Sequence, residues 1–327
     1  MKNKLEPEIS VVVPFYNEEE NIEELYKRLT QILKKIKKSY ELIFIDDGST
    51  DRTYEILSKL YKKDKHVNII RLKKNFGQTA ALAAGFDHAN GKIIISMDGD
   101  LQHDPADIPK LLDKMEEGYD IVSGWRKKRV DSLIFRRIPS LVANRIMRFL
   151  SGVKIHDFGT TFKVYKKEVI KNIHLYGELH RFIPALASRM GVRITEVPIR
   201  NIVRQKGKSK YGLSRVRRVL FDLLTVKFII SFIDKPLQFF GLIGLCFGTI
   251  GFIIASILTI GFYFFGLSIR ENLGNLLFSI FLMILGVQFI MTGLLAEVIS
   301  RVYFATHKTK IYFVEETKFH TEKELAS

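Results

Sequence analysis

Short apolar runs alternate with amphipathic segments along the first two thirds of the chain. Runs of strand length occur in ISVVVPFYN, ELIFIDDGS, VNIIRLK and IIIS. The segments between them predict helices over NEEENIEELYKRLTQILKKIKK, STDRTYEILSKLYKK and NFGQTAALAAGFDHA. Strands that are separated by helices pair in parallel through crossover connections, so the pattern predicts an α/β domain with a mostly parallel sheet.

Two almost uninterrupted apolar runs follow, at Leu237–Leu267 and Leu273–Ile299. Each is longer than the roughly 20 residues that a helix needs to cross a bilayer, so together they predict a transmembrane hairpin. A pair of buried core helices is the alternative. Small residues recur on one face of the first run, which allows close helix contact. They are Gly241, Gly244, Gly248, Gly251, Ala255 and Thr259.

The formal net charge of +16 comes largely from residues next to the apolar runs. Arginine and lysine are frequent before the first run and after the second, whereas the short connection carries only Arg270 and Glu271. By the positive-inside rule, both termini are cytoplasmic, and we expect a multi-pass protein of the bacterial inner (plasma) membrane. Because Met1 is not followed by an apolar core, no signal peptide is predicted.

The charge distribution favours anionic lipid or a phosphorylated substrate as partner. No signature of a nucleic-acid-binding module occurs, so no nucleic acid is expected. Cys246 is the single cysteine and lies in the first apolar run, which excludes an intramolecular disulfide and a cysteine-rich zinc site.

Acidic residues cluster where the apolar strands of the first domain end. In open α/β sheets, ligands bind beyond the carboxyl ends of the strands, so these carboxylates are expected to converge there. They are Glu18, Asp46, Asp47, Asp98 and Asp100. Such a cluster needs a counter-charge, and oxygen ligands of this kind suit Mg²⁺ or Mn²⁺. Asp98 and Asp100 flank Gly99, and Gln102 could add a neutral oxygen.

A structural role is the alternative for the same stretch. Asp98 and Asp100 could form only an Asx turn. For Asp104 and Pro105 we favour the structural role, because an aspartate cap followed by proline is a common helix start.

Ordered motifs in the chain resemble those of family 2 glycosyltransferases with the GT-A (Rossmann-like) fold. These motifs are VVVPFYNEEENI, IDDGSTDRT, KNFGQTAAL and MDGDLQHDP. With SGWRKKR, HDFGTTFKVY, RQKGKSKYG and the apolar hairpin, the chain is similar to bacterial polyprenyl-phosphate glycosyltransferases of the GtrB type, relatives of dolichyl-phosphate mannose synthase. The resemblance implies transfer of one sugar, with inversion, from a nucleotide donor to undecaprenyl phosphate.

The resemblance also implies roles for individual residues. Catalytic roles fall to Asp157, the aspartate generally proposed as base, and to Asp100. The nucleotide sugar would be bound by Pro14, Tyr16, Glu18, Asp47, Gln78, Asp98, Arg204, Ser209 and Lys210. The acceptor phosphate would be bound by Arg126, Arg136, Arg137 and Ser140, with solvated or lipid-facing charge as the alternative for the arginines. The metal ligands would be Asp98, Asp100 and Gln102.

The resemblance and the apolar pattern together define four parts of the chain. They are a cytosolic GT-A domain (1–212), interfacial amphipathic helices (213–235), a transmembrane hairpin (236–300, with spans at about 237–267 and 273–299) and a cytosolic C-terminal tail (301–327). KIYFVEE in the tail predicts a short strand that returns to the domain or pairs with another subunit. We expect a homo-oligomer.

The expected partners are a nucleotide-sugar donor, with UDP-glucose as first choice, the polyprenyl phosphate and the lipid bilayer. A processive polysaccharide synthase is a second function that shares the acidic motifs. Trp125 stands in SGWR rather than in the signature of those synthases, and two spans are too few for a polymer channel. A non-catalytic membrane partner of a lipid carrier is a third function, against which the complete acidic motifs argue.

Overall fold

Within the described residues of the computed structural model, a sheet of eight strands forms the centre of the first of two compact units. The strands are β1 (Ile9–Phe15), β2 (Tyr40–Asp46), β3 (Val67–Leu72), β4 (Ile93–Ser96), β5 (Ile121–Trp125), β6 (Lys163–Lys166), β7 (Ile194–Pro198) and β8 (Val314–Lys318). Their order across the sheet is β7-β5-β6-β4-β1-β2-β3-β8. The structure describes residues 6–127, 138–173, 175, 177, 179–200, 202, 236–306 and 314–320.

Helices connect the strands and cover the sheet. In this unit they are α1 (Ile22–Ile36), α2 (Thr53–Lys63), α3 (Gln78–His88), α4 (Ile108–Glu116), α5 (Ile138–Ser151), α6 (Lys167–Ile170) and α7 (Ile183–Ala187). Helix α1 shows why the sequence pattern works, because its apolar residues recur every three or four positions and are buried on one face. They are Ile22, Leu25, Leu29 and Leu33.

The sheet is mostly parallel, which confirms the predicted fold class. Strand β1 pairs in parallel with β2 and β4, β2 with β3, and β5 with β7. The antiparallel contacts involve β6, which lies between β4 and β5, and β8 at the edge. The carboxyl ends of β1, β2 and β4 therefore meet at one edge of the sheet, where ligands bind in folds of this class.

Strand β8 brings the C-terminal segment back to the first unit. Its residues pair with β3, with Arg71 opposite Glu316 and Ile69 opposite Lys318. The Nε of Arg71 lies 3.5 Å from a carboxylate oxygen of Glu315 and 3.6 Å from Oδ2 of Asp46. Of the two pairings expected for the C-terminal strand, the structure shows the return to the domain.

The described residues of the second unit (Lys227–Thr309) form two long apolar helices, α8 (Pro236–Phe265) and α9 (Ile269–Thr306). Both helices are long and apolar enough to cross a membrane. In the most apolar stretch of each helix, only 11% of the residues in α8 and 22% of those in α9 are buried. Buried core helices, the alternative considered above, would not expose so many large apolar side chains. The interfacial helices predicted at 213–235 lie outside the described residues.

Part of the predicted small-residue face forms the contact between α8 and α9. A Cβ atom added at Gly244 would lie 2.5 Å from the carbonyl oxygen of Gly286, and one at Gly251 would lie 2.7 Å from that of Ser279. At Gly248, in contrast, an added Cβ would meet nothing within 4 Å. The two helices therefore depend on specific glycines rather than on the whole stripe.

Gly244→Ala and Gly248→Ala form a matched pair that tests this helix contact. We expect Gly244→Ala to destabilise the hairpin, because overpacking costs about 1–3 kcal/mol. Gly248→Ala should leave it unchanged or slightly more stable, since alanine favours helix over glycine. Unfolding of the full-length protein in detergent, followed by circular dichroism, measures both effects. Equal stability of the two variants would contradict the contact.

Candidate active site

The candidate site lies at the carboxyl end of β1. The acidic residues that follow the two neighbouring strands, β2 and β4, lie beside this end. Asp46 is the last residue of β2 and lies opposite Phe15 in the register. The next residue, Asp47, donates its backbone N–H to the Phe15 carbonyl at 2.9 Å. On the other side, the backbone N–H of Met97 donates to the Val12 carbonyl at 3.2 Å, which places Asp98 just beyond β4.

Three consecutive residues before and at the start of α3 connect Asp47 with Asp98. The backbone N–H groups of Phe76 and Gly77 donate to the two carboxylate oxygens of Asp47 at 2.8 and 2.9 Å. The side-chain amide of Gln78 donates to Oδ1 of Asp98 at 2.5 Å. This segment therefore connects Asp47 and Asp98, which are two of the five carboxylates expected to converge at the sheet edge.

Burial changes the acidity of the aspartates that end β2. It raises the pKa of Asp47 to about 6, although the hydrogen bonds from Phe76 and Gly77 oppose this shift. It also raises the pKa of Asp46, against hydrogen bonds from Ser49 and the nearby charge of Arg71. Buried carboxylates of this kind are typical of functional sites, because an apolar core does not require them.

The turn that contains Asp98 and Asp100 is tightly constrained. A Cβ atom at Gly99 would lie 2.5 Å from the Phe15 ring, so only glycine fits there. Leu101 has a φ of 59°, a left-handed conformation that costs a non-glycine residue of order 1–3 kcal/mol. The backbone N–H of Gln102 donates to Oδ1 of Asp100 at 3.2 Å. Such backbone strain is concentrated at functional sites.

The chemistry of this turn suits a divalent metal ion that is shared with a substrate. Among the described residues, no group of three or more His, Cys, Asp and Glu side chains could hold a metal by itself. Mg²⁺ usually binds one or two carboxylates and completes its shell with phosphate oxygens and water. Asp98 and Asp100 offer two carboxylates, so they fit an ion that arrives with a phosphorylated ligand.

Asp104 and Pro105 have the structural role that we favoured for them. The carboxylate of Asp104 accepts the backbone N–H of Ala106 at 3.0 Å, and Pro105 begins the helical turn. Arg200 also donates to Asp104, at 3.3 Å. The acidic stretch after β4 is thus divided between a turn of Asp98 and Asp100 and a helix start.

Arg126 and Asp157 form a two-point ion pair at the end of β5. The Nε and Nη2 atoms of Arg126 donate to the two carboxylate oxygens of Asp157, at 2.8 and 3.0 Å. The Arg126 side chain is 17% exposed and that of Asp157 is 5% exposed. The resemblance implies separate roles for these two residues, whereas the structure joins them in one contact.

The remaining predicted residues are placed only in part. Pro14 and Tyr16 are half-buried at the end of β1. Glu18 accepts a hydrogen bond from the side chain of Asn21 at 2.6 Å. Ser140 lies in α5. Arg136, Arg137, Arg204, Ser209 and Lys210 lie outside the described residues.

Two buried residues beside the site were not assigned a role from the sequence. Burial lowers the pKa of His103 to about 4, and its Nδ1 lies 3.8 Å from Asp98. Lys163 is fully buried in β6, and burial lowers the pKa of its side chain to about 7. A lysine inside the otherwise apolar run FKVY was the available signal for the second residue.

Comparison with known proteins links this site to sugar transfer. The model of the family described as Glycosyl transferase family 2 matches residues 10–174. The chain is 40% identical over 316 residues to the dodecaprenyl-phosphate galacturonate synthase of Rhizobium johnstonii, which covers 94% of this chain and 92% of the relative. It is 35% identical over 309 residues to the undecaprenyl-phosphate 4-deoxy-4-formamido-L-arabinose transferase of Salmonella choleraesuis, with 94% and 93% covered.

Solved structures share the fold at lower identity. Glucosyl-3-phosphoglycerate synthase from Mycobacterium tuberculosis, in complex with Mn²⁺, UDP and phosphoglyceric acid, has a TM-score of 0.53 and 21% identity. The match covers 68% of this chain and 78% of the other. The same enzyme with Mg²⁺ and UDP has a TM-score of 0.51 and 22% identity, with 68% and 80% covered. These matches confirm the GT-A-like fold.

A double-mutant cycle tests the ion pair of Arg126 and Asp157. We expect Arg126→Gln and Asp157→Asn each to lower the free energy of unfolding, because a charge left buried without its partner costs about 3–5 kcal/mol. The double variant should lose less than the sum of both. Thermal unfolding of the full-length protein in detergent gives the coupling.

The ion pair of Lys166 and Asp120, at 2.7 Å, is the matched control on the same domain. Its side chains are 36% and 18% exposed, so solvent screens it and its coupling should be smaller. Additive losses for Arg126→Gln and Asp157→Asn would show that the contact has no energetic weight.

Proposed function

We propose, since the chain belongs to glycosyl transferase family 2, that it transfers one sugar from a nucleotide donor to the phosphate of a polyprenyl lipid. Family membership makes the chain a glycosyltransferase. The observation behind the acceptor is that two relatives named for polyprenyl-phosphate products match 94% of the chain each. A match of this extent includes the apolar helices as well as the sheet.

The sugar of the expected donor, UDP-glucose, is corrected by the relatives. The two relatives are named for galacturonate and for 4-deoxy-4-formamido-L-arabinose, and neither is named for glucose. We therefore propose galacturonate as the first sugar and the formamido-arabinose as the second. UDP remains the proposed nucleoside diphosphate, and it is also bound by the mycobacterial enzyme that shares the fold.

The donor is proposed to bind at the carboxyl end of β1. Asp47 and Gln78 lie in one hydrogen-bonded arrangement with Asp98, as expected of residues that surround one ligand. Pro14, Tyr16 and Glu18 would complete the nucleoside side. Asp98 and Asp100, with Gln102, would hold Mg²⁺ or Mn²⁺. When bound, this ion would stabilise the negative charge that develops on the departing nucleoside diphosphate.

Arg126 is proposed to bind the acceptor phosphate. A lipid monophosphate is already largely ionised near neutral pH, because its second pKa is about 6. Strong base catalysis is therefore not required, and the difficulty is the meeting of two anions. A guanidinium group held at a fixed place offsets their repulsion and aligns the attacking oxygen.

Asp157 supports this role through its two hydrogen bonds with Arg126. Both carboxylate oxygens accept from the guanidinium group, so Asp157 fixes the plane in which Arg126 presents its remaining donors. We propose that Asp157 orients Arg126 in the transfer reaction. The attack itself would invert the anomeric carbon by direct displacement.

The two apolar helices are proposed to span the inner membrane, with both termini and the catalytic domain in the cytoplasm. Their length and exposed apolar surface support this placement, and the basic residues on either side support the orientation. A membrane anchor keeps the enzyme where its acceptor is, because a polyprenyl tail does not leave the bilayer.

A transfer assay tests the proposed function. Purified protein is incubated with polyprenyl phosphate and, in turn, UDP-galacturonate, the formamido-arabinose donor, UDP-glucose and GDP-mannose, and the lipid extract is analysed by mass spectrometry. We expect one sugar per lipid, with galacturonate transferred best. Longer chains would indicate a polysaccharide synthase, and no lipid product with any donor would contradict the proposal.

Asp100→Ala tests the proposed metal dependence. We expect it to abolish transfer without unfolding the protein, because a carboxylate in a turn at the sheet edge contributes ligand geometry rather than core packing. Asp104→Ala, in the same acidic stretch, is the control and should lose about 1 kcal/mol of stability as a removed helix cap but retain transfer. EDTA should stop the wild-type enzyme, and Mg²⁺ or Mn²⁺ should restore it. Full activity of Asp100→Ala, or indifference to EDTA, would exclude this metal site.

A further inference from the structure

Three buried polar side chains form a row across β4, β6 and β5. Ser96 and Ser123 both lie opposite Lys163 in the register, so the three side chains point to the same face of the sheet. Their exposed fractions are 1% for Ser96 and 0% for Ser123 and Lys163. A row of this kind does not arise from hydrophobic packing, which raises the question of what it binds.

The three side chains of this row donate hydrogen bonds to the loop between α5 and β6. Ser123 donates its hydroxyl to the Asp157 carbonyl at 3.5 Å, and Ser96 donates to the Thr161 carbonyl at 2.5 Å. Between them, the ammonium group of Lys163 donates to the carbonyl of Phe158 at 3.1 Å and to that of Thr160. Four carbonyl groups within residues 157–161 are thus held by side chains of three adjacent strands.

The same loop also contacts the candidate acceptor site. The carboxylate of Asp157 binds the guanidinium group of Arg126 and also accepts the backbone N–H of Gly159 at 3.2 Å. The hydroxyl of Thr160 lies 3.4 Å from Nε2 of His103, which adjoins the turn of Asp98 and Asp100. The position of this loop therefore affects the acceptor side and, through His103, the donor side.

We propose that Lys163 is a positioning residue for sugar transfer, which holds the 157–161 loop so that Asp157 can orient Arg126 towards the acceptor phosphate. This inference rests on the proposed function. Lys163 contacts neither substrate in this assignment. Its effect passes through two carbonyl groups to the loop, and from the loop to the Arg126 ion pair.

The energetics of the site support a role beyond packing. An ammonium group is expensive to bury, and burial lowers the pKa of Lys163 although the charges of Asp157 and Asp98 oppose that shift. The hydrogen bonds of its Nζ go to the loop carbonyls of Phe158 and Thr160. A methionine would fill a similar volume without the desolvation cost, but it could not hold the loop.

The test compares variants at Lys163 with a control on the same strand. Lys163→Met removes the donors, Lys163→Gln keeps neutral N–H donors on a shorter side chain, and Lys166→Met removes only the ion pair with Asp120. The kcat and the KM values for the nucleotide sugar and for polyprenyl phosphate are measured for the full-length protein in detergent, together with the melting temperature.

We expect Lys163→Met to lower kcat by about 100-fold, as a small misplacement of a reacting group can do, while the KM for the nucleotide sugar stays at the wild-type value. Lys163→Gln should recover part of kcat, and Lys166→Met should resemble the wild type. If Lys163→Met does not fold, Lys163→Gln alone carries the test, with reduced kcat and unchanged donor KM.

Three results would overturn the proposal. A lower melting temperature with unchanged kcat in the folded protein would mean a structural role only. A rise in the KM for the nucleotide sugar as large as that in the KM for polyprenyl phosphate would show that Lys163 does not act specifically on the acceptor side. Additive effects of Lys163→Gln and Asp157→Asn on kcat would show that the two residues act independently. Absence of transfer by the wild type would instead refute the proposed function and leave the loop contacts measurable by the melting temperatures.

Discussion

The parallel pairing of β1 with both β2 and β4 is the constraint on which the candidate site depends. It brings Asp47, which follows β2, and Asp98, which follows β4, to opposite sides of one strand end. Gly99 is needed there because the Phe15 ring occupies the space of a side chain. The short segment that begins α3 then joins the two aspartates through hydrogen bonds. The close approach of Gly99 to Phe15 and the burial of Asp47 both follow from that pairing.

A second constraint is electrostatic. The site gathers carboxylates at the end of β1, yet the proposed reaction must bring a nucleoside diphosphate and a lipid phosphate to the same region. The fold meets this requirement with positive charge that is held in place: Arg126 is fixed by Asp157, and Arg71 lies near Asp46. Fixed charges need no reorganisation during the reaction, whereas water or mobile side chains would. Glu315 of strand β8 also lies near Arg71 and helps to hold its side chain in place.

Local patterns made much of this architecture predictable. The period of apolar residues predicts α1, the apolar runs predict β1 to β4, and the uninterrupted runs predict α8 and α9. The cap at Asp104 also follows from adjacent residues. The insertion of antiparallel β6 between β4 and β5 is not local, since it joins segments that are distant in the chain. For that reason the resemblance gave Asp157 and Arg126 as candidates, but it gave neither their ion pair nor the contacts of Lys163 with the loop carbonyls.

The central claim is that one edge of the sheet binds the donor and Arg126 binds the acceptor. A cryo-electron microscopy structure of the full-length protein with UDP, Mg²⁺ and a short-chain polyprenyl phosphate measures this directly. We expect Mg²⁺ at about 2.0–2.1 Å from carboxylate oxygens of Asp98 or Asp100 and from the diphosphate. We also expect the lipid phosphate at about 2.7–2.9 Å from the guanidinium group of Arg126. A nucleotide bound away from the end of β1, or a lipid phosphate that does not contact Arg126, would contradict the central claim.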